Sequence, residues 1–555
     1  MQREQVIEYL KRVILDDNIV RQCLPPHTAE VESLSVCHNG VETANYYFVS
    51  KYFDYEIDGE GIVAELEKMQ ITDKNFGPYG CMRWYREETR VADSNGAFFI
   101  LMPLALTLRF CEEKLSEKEK TVLLRMLERG AHWFTSECKG AILYYPNKIV
   151  SDGAMLMLCS FLLKSEEVKN EARAFWRRWI AYTQDGGWGW GENTSASYSV
   201  IILNALNLTL CGLEESDELY APLFALRSVL INYMCYHEGY EFVPSIRSYN
   251  FTGEIMQSNP YDLIYDKEIV MEQGVYAIGT CSVFTARILY SFAPKYIPQP
   301  DTGDFHKERI YEDSYAVTYK GENVRLGTIS HFPVMRECAQ NNGWGLAWQS
   351  MPVSALAKAH SLAFLQFRSE SDGMVRSHPA YDQHSAYLDN KLFAGENIPL
   401  ENTYSTQEGN TAIVVRDLRF IANSVSYFAD EWLVQRFRGE VIEYKNWTVF
   451  HYGDCVVAVC SPLNPTKLKK EGDTVRLAQV CYEGEEKLLI QREWTGVWCI
   501  VALDNPDGWQ KALDEKEVKI QDAPDGLTPR IHYPQLKIRC GETEMLFDPF
   551  RVKVY

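Results

Sequence analysis

The chain has 555 residues, 46% hydrophobic and 24% charged, a balance that excludes wholesale disorder and leaves room for two or three domains. Its net charge of −20 excludes a surface made to hold a nucleic-acid backbone and leaves room for a small acidic ligand gripped by local arginines. Aromatic residues make up 13% of the chain, which suits a cleft lined with rings.

The N-terminus is charged and amphipathic, with no apolar signal core, and no stretch reaches the roughly 18 apolar residues of a membrane span. The 15 cysteines form no CxxC pair. Singly scattered cysteines read as reduced thiols, so a cytoplasmic protein is expected.

Up to about residue 292 the pattern is helical. Ser116 to Glu119 forms a capping box ahead of Val122, Leu123, Met126 and Leu127. Amphipathic segments follow over about 166–182, with Trp176, Trp179 and Ile180 on the apolar side, and over about 217–235. Between them, Ala97–Phe110, Ala154–Leu163, Ser199–Leu210 and Val275–Phe292 are apolar nearly all round, as helices buried on every side must be. The alternation implies an inner and an outer ring, with inner helices beginning near residues 42, 95, 152, 195 and 274. Five or six such hairpins close, or nearly close, an (α/α) toroid over residues 1–292; the competing reading is an irregular helical domain.

Residues 293–304 carry three prolines and read as a linker. Over 305–555 the period falls toward two. Thr411–Arg416, Thr448–Tyr452, Cys455–Cys460, Thr474–Cys481, Lys487–Gln491 and Val497–Leu503 are short β-rich runs divided by turn residues. The expected fold is a toroid followed by a large antiparallel β-sandwich.

In a toroid the loops entering the inner helices gather at one end of the cavity, where helix N-termini face anions. Three loops stand out. Residues 75–95 carry Arg83, Trp84, Tyr85, Arg86, Glu87 and Arg90, then Asp93. The alternative to a ligand site there is a solvated loop with local ion pairs. Tyr145 and Asn147 precede Ser151 and Asp152, and these last two read more readily as helix caps than as catalysts. Residues 184–198 hold Gly186, Gly187, Gly189 and Gly191, with Trp188 and Trp190 between them, then Glu192, Asn193 and Tyr198. Here the competing reading has the tryptophans stapling hairpins and Glu192 capping a helix. Glu272 and Tyr276 occupy the same position on a later hairpin. The insertion 237–271, with Arg247, is long enough for a lid or cleft wall. His331 opens a stretch of the second domain rich in polar and aromatic residues. No P-loop, HExxH, zinc-ligand cluster, Gly-x-Ser-x-Gly or strand-linked GxGxxG occurs, so no cofactor and no metal is expected.

Gln184-Asp185-Gly186-Gly187-Trp188-Gly189 resembles the QW repeat of the triterpene cyclases, themselves α/α toroids. The order of toroid, Pro-rich linker and sandwich resembles the heparinase II/III-like and chondroitin-lyase-like polysaccharide lyases. It is similar, too, to a gut-bacterial β-glucuronidase family of the same plan. The Asn-Asn-Trp-Trp and His-plus-Tyr signatures of chondroitin-type lyases are not recognisable.

That resemblance implies an enzyme cleaving a glycosidic bond at a uronic acid. The first expectation is an exo-acting β-glucuronidase-type hydrolase whose acid and base come from Glu192, Glu272, Asp152 and Asp93. Arg83, Arg90, Tyr85, Tyr145, Asn147, Asn193 and Arg247 would hold the sugar, and Trp188, Trp190 or Tyr276 would stack on it. The alternative is β-elimination, drawing on Tyr145, Asn147, Tyr198, Tyr276 and His331. A non-catalytic carbohydrate-binding protein is the third reading. The expected partner is a small acidic saccharide or glucuronide, with no nucleic acid and no membrane; a homo-oligomer is left open.

Overall fold

The computed structural model describes all of the chain except residues 1–2, 23–27, 32, 190, 249, 251, 254, 256–262, 266–279, 332–350, 372–373, 379–399, 492–493, 523–534 and 549–555. Helices occupy the first part and antiparallel sheets the second. The chain divides into two compact units whose membership does not follow sequence order. One unit holds 1–185, 199–235 and 259–299; the other holds 186–198, 236–258 and 300–555.

In the helical unit the elements are α1 (Arg3–Leu10), α2 (Gly40–Tyr52), α3 (Gly59–Lys68), α4 (Gly96–Phe110), α5 (Glu117–Lys139), α6 (Pro146–Leu162), α7 (Glu166–Gly186), α8 (Tyr198–Leu210), α9 (Tyr220–Tyr236) and α10 (Thr280–Phe292). The nearly all-apolar α4 and α6 are buried along their length. The amphipathic α5 begins with the expected capping box, Ser116 taking the Glu119 N–H while Glu119 takes the Ser116 N–H.

Within this unit α2 packs on α4, α4 on α6, and α10 returns to α2. Phe110 of α4 stacks on Phe292 of α10 with centroids 4.1 Å apart. Arg227 of α9 donates to Asn207 of α8 and lies over the Tyr290 ring of α10. These contacts join α2, α4, α6 and α10, and α9 ties α8 to α10.

One helix start differs from expectation. α6 begins at Pro146, not near residue 152, because proline at the first helical position already has helical φ and needs no N–H partner. Ser151 and Asp152 consequently lie in the second turn and cap nothing. The start expected near 274 lies outside the described residues.

In the other unit the strands are β4 (Phe305–Tyr311), β5 (Ser314–Lys320), β6 (Val324–Ile329), β7 (Val353–Ala357), β8 (Ser361–Ser371), β9 (Met374–His378), β10 (Leu400–Glu408) and β11 (Thr411–Val434). There follow β12 (Glu440–Tyr444), β13 (Trp447–His451), β14 (Val456–Cys460), β15 (Lys467–Glu471), β16 (Thr474–Gln491) and β17 (Trp494–Leu503). Two smaller sheets, β1 (Leu15–Asp16) to β3 (Cys37–Asn39) through β2 (Ile19–Gln22), and β18 (Val518–Asp522), β19 (Leu536–Cys540), β20 (Thr543–Phe547), are separate.

The 24-residue β11 is the hinge of the sandwich. Its first half pairs with β10 and β17, and its second half with β8 and β16, so one strand serves two layers. Between the layers, Leu326, Ala355, Leu365, Trp432, Val457, Trp498 and Ile500 form one buried cluster. The runs expected at 474–481 and 487–491 are parts of a single strand, β16.

Candidate active site

The first two loops belong to the helical unit and are spent on holding it together. Arg83 donates to the carbonyls of Glu88 and Lys68, so its guanidinium is engaged by backbone. Tyr85 is buried beside Val31 and Cys37, and the Glu88 carboxylate takes the N–H groups of Trp84 and Tyr85 at 2.7 and 3.2 Å. Asp93 accepts the Asn95 N–H at the entry to α4. Glu87 pairs with His38, and Arg90 is exposed beside Glu30.

Tyr145 precedes α6 and Asn147 is buried in its first turn. Lys148 then pairs with Asp152 one turn on and with Glu137 of α5 at 2.8 Å, over the Trp133 ring. Burial pushes the Asp152 carboxyl up to about 6, and two carboxylates hold the Lys148 ammonium above its ordinary value against that burial. Cys81 lies against the Ser94 carbonyl of its own loop, and burial pushes its thiol up.

The third loop belongs with the strands. Gly187, Gly189 and Gly191 all have positive φ (93, 73 and 72°), which explains the glycine at every second position. The turn they make lays the loop along β4: the Trp188 N–H donates to the Ile310 carbonyl, and the Asn193 carboxamide donates to Glu308 and to the Arg309 carbonyl. Trp188 is buried and offers little ring surface to a sugar. Trp190 lies outside the described residues, as do Glu272 and Tyr276.

The described start of the 237–271 insertion is a strap packed on the sheet. Val243 sits in an apolar cluster with Met351, Leu356, Leu362 and Phe364, and Thr318 of β5 donates to the Val243 carbonyl. Gly327 of β6 permits that approach, since a Cβ there would lie 2.1 Å from the Pro244 nitrogen.

Strap and glycine loop meet around Arg247. Its guanidinium pairs with Glu192, with both side chains at 0% exposure, and donates to the Tyr198 hydroxyl oxygen at 2.8 Å. Ser195 donates to the Arg247 carbonyl and accepts the Tyr198 N–H at the start of α8. Arg247 itself has φ of 49°, an uncommon conformation for a residue other than glycine.

Glu192, Asn193, Tyr198 and Arg247, chosen from sequence, are thus gathered in one unit. The Asn193 Oδ1 is buried with no hydrogen-bond partner among the described residues. The same strap carries Glu241, which accepts from Ser248, the residue after Arg247, at 3.3 Å. Burial pushes its carboxyl up to about 7, against hydrogen bonds that lower it. Glu241 was not foreseen. Its one signal is an acid set among Tyr240, Phe242 and Val243, in a run that is otherwise apolar.

His331 is in the same unit but in different surroundings, 3.4 Å from Asp313, lining a cavity of about 170 Å³ with Tyr404 and Phe547. Burial lowers its pKa, so the ring is neutral near pH 7. Among the described residues no three His, Cys, Asp or Glu side chains are grouped to hold a metal ion, and no helix is long and apolar enough to cross a membrane.

No family model matches the chain, and no curated protein does. Solved structures do. A crystal structure of heparinase III is similar over 94% of this chain and 84% of its own, at 11% identity and a TM-score of 0.48. Another heparinase III is similar over 92% and 83%, at 8% identity and a TM-score of 0.36. The endoglucanase CelQ from Clostridium thermocellum, complexed with cellotriose, covers 82% and 90% at 10% identity and a TM-score of 0.18.

Proposed function

We propose that the chain is a lyase that cleaves glycosidic bonds at a uronic acid by β-elimination, with Tyr198 as the base. The observation that carries this reading is the Arg247 guanidinium held between Glu192 and the Tyr198 oxygen. A cation against a phenol oxygen stabilises the phenolate that must form before tyrosine can take a proton from carbon. Hydrolysis asks instead for two carboxyl groups free to face a scissile bond. Among the described residues, the carboxylates first nominated for it are engaged elsewhere: Glu192 is sealed against Arg247 and Asp152 against Lys148, while Asp93 is held in the turn before α4.

In the proposed reaction the Tyr198 phenolate removes the proton on C5 of the uronate. The C4–O4 bond then breaks, its electrons pass to the oxygen, and a C4=C5 double bond forms. Glu241, protonated below about pH 7, supplies the proton to the departing oxygen.

Product chemistry tests the proposal. Uronate polysaccharides, heparin among them, should yield products carrying the ultraviolet absorbance of a C4=C5 bond conjugated to a carboxylate. Reducing ends released without that absorbance would mean hydrolysis, and the proposed roles would fall.

A further inference from the structure

The sandwich unit carries a polar groove, of about 700 Å³, that shares no lining residue with the Arg247 cluster. It is walled by Thr252 and Ile255 of the strap, Ala359 and His360 of the β7–β8 turn, Gln435, Arg436 and Arg438 after β11, and Asp473 and Thr474 at the β15–β16 hairpin.

Each wall is fixed by backbone bonds. The Leu362 N–H donates to the Gly253 carbonyl, and the Phe437 N–H to the Asp473 carbonyl, both within the unit. Phe437 is buried against Phe450 and Tyr452, which leaves its neighbours Arg436 and Arg438 exposed on the groove. Arg436 has φ of 54°, so the chain turns there to set its side chain and that of Arg438 on one groove.

Arg438 has no ion pair or hydrogen bond among the described residues, in a protein whose net charge is −20. His360 is held by Asp454 at 2.8 Å and lies beside the Tyr452 ring, so its orientation is set before any ligand arrives. The remaining wall groups are an amide, two hydroxyls and one carboxylate, that of Asp473. Two guanidiniums outnumber the one carboxylate, and with the amide and hydroxyls of the wall they match an anion carried on a hydroxyl-rich ring.

We infer that this groove binds the anionic substituent, carboxylate or sulfate ester, of an acidic sugar, as a site additional to the Arg247 cluster. The choice of a sugar rests on the proposed function; the anion does not.

The test uses the full-length protein labelled with 15N-arginine, the Nε–H signals of Arg436 and Arg438 being assigned from the Arg436→Asn and Arg438→Gln variants. Asparagine tolerates the positive φ at 436, and both positions are exposed, so these variants keep the fold. D-glucuronate, inorganic sulfate and D-glucose are titrated separately. Neither anion carries a glycosidic bond to eliminate, so the result is independent of whether the protein is a lyase. Both arginine signals should shift saturably with glucuronate or with sulfate and not with glucose, and the signal that remains in each single variant should titrate at least about tenfold more weakly. A response to sulfate alone assigns the groove to sulfate esters, and to glucuronate alone to uronates. Signals that stay still with both anions, or that move equally with glucose, overturn the inference.

Discussion

At the scale of single residues, two buried carboxylates with opposite circumstances make the sharpest predictions. Glu192 is paired with Arg247 at zero exposure, and removing one partner of such a pair strands the other. Glu192→Gln should therefore lower stability by about 3 kcal/mol, read as a fall in denaturant midpoint. A variant as stable as the parent that has lost turnover would instead make Glu192 the catalytic group of a hydrolase.

Glu241 is raised from its ordinary 4.5 to about 7 by burial. Between those two values the folded state holds a proton that the unfolded state has released, so stability falls as pH rises through the window and levels off above 7. Full ionisation removes roughly 3 kcal/mol. Glu241→Gln cannot ionise; its melting temperature should lose that part of the slope between pH 5 and 7 and exceed the parent's at pH 8. Parallel profiles for the two proteins would show that Glu241 is already charged.

These two residues also mark where the sequence was legible and where it was not. Glu192 stood out because alternating glycines announce a tight turn, and three of them do take positive φ. Its partner Arg247 lies 55 positions away, and no spacing rule links a loop to a strap that meets it only after folding. Asp152 read as a cap because an acid before an apolar run usually is one; Pro146 had already started the helix.

At the scale of elements, periodicity served helices better than strands. The apolar inner helices and the capping box of α5 followed from local pattern. The 24 residues of β11 did not, because Thr411–Arg416 looks like a complete strand and nothing local says that it runs on into a second sheet. The strap was marked by its length alone: its apolar residues, Tyr240, Phe242, Val243 and Ile246, follow no period that says what they pack on. What fixes it is one absent side chain on β6. Gly327→Ala would push a Cβ into the Val243–Pro244 backbone, which cannot yield as a flexible side chain can. We expect a loss of about 3 kcal/mol or more, with elimination activity falling further than stability alone explains because Arg247 is carried on the strap. An alanine variant with parental melting temperature and activity would show the strap to be loosely held.

At the scale of the whole molecule, chain order and structural grouping part company. The change from helices to strands comes near residue 300, yet 186–198 and 236–258 group with the strands that follow. Arg325 of β6 is fully buried, donating to the His237 carbonyl and to Glu238, and the Trp188 N–H is bonded to β4. Amides of 191–198 and 241–248 should therefore exchange with deuterium in step with β4 to β8, as parts of one cooperative unit. Free exchange of both segments while the strands stay protected would show them to be independent loops.

The account stands on the claim that these two segments build a base for elimination at Tyr198. Its most direct measurement is the rate of appearance of conjugated-uronate absorbance for Tyr198→Phe beside the parent, on the same acidic polysaccharide and with melting curves recorded for both. The expected result is a fall of about a hundredfold or more with little change in melting temperature. A phenylalanine variant that forms the unsaturated product at the parental rate would contradict it.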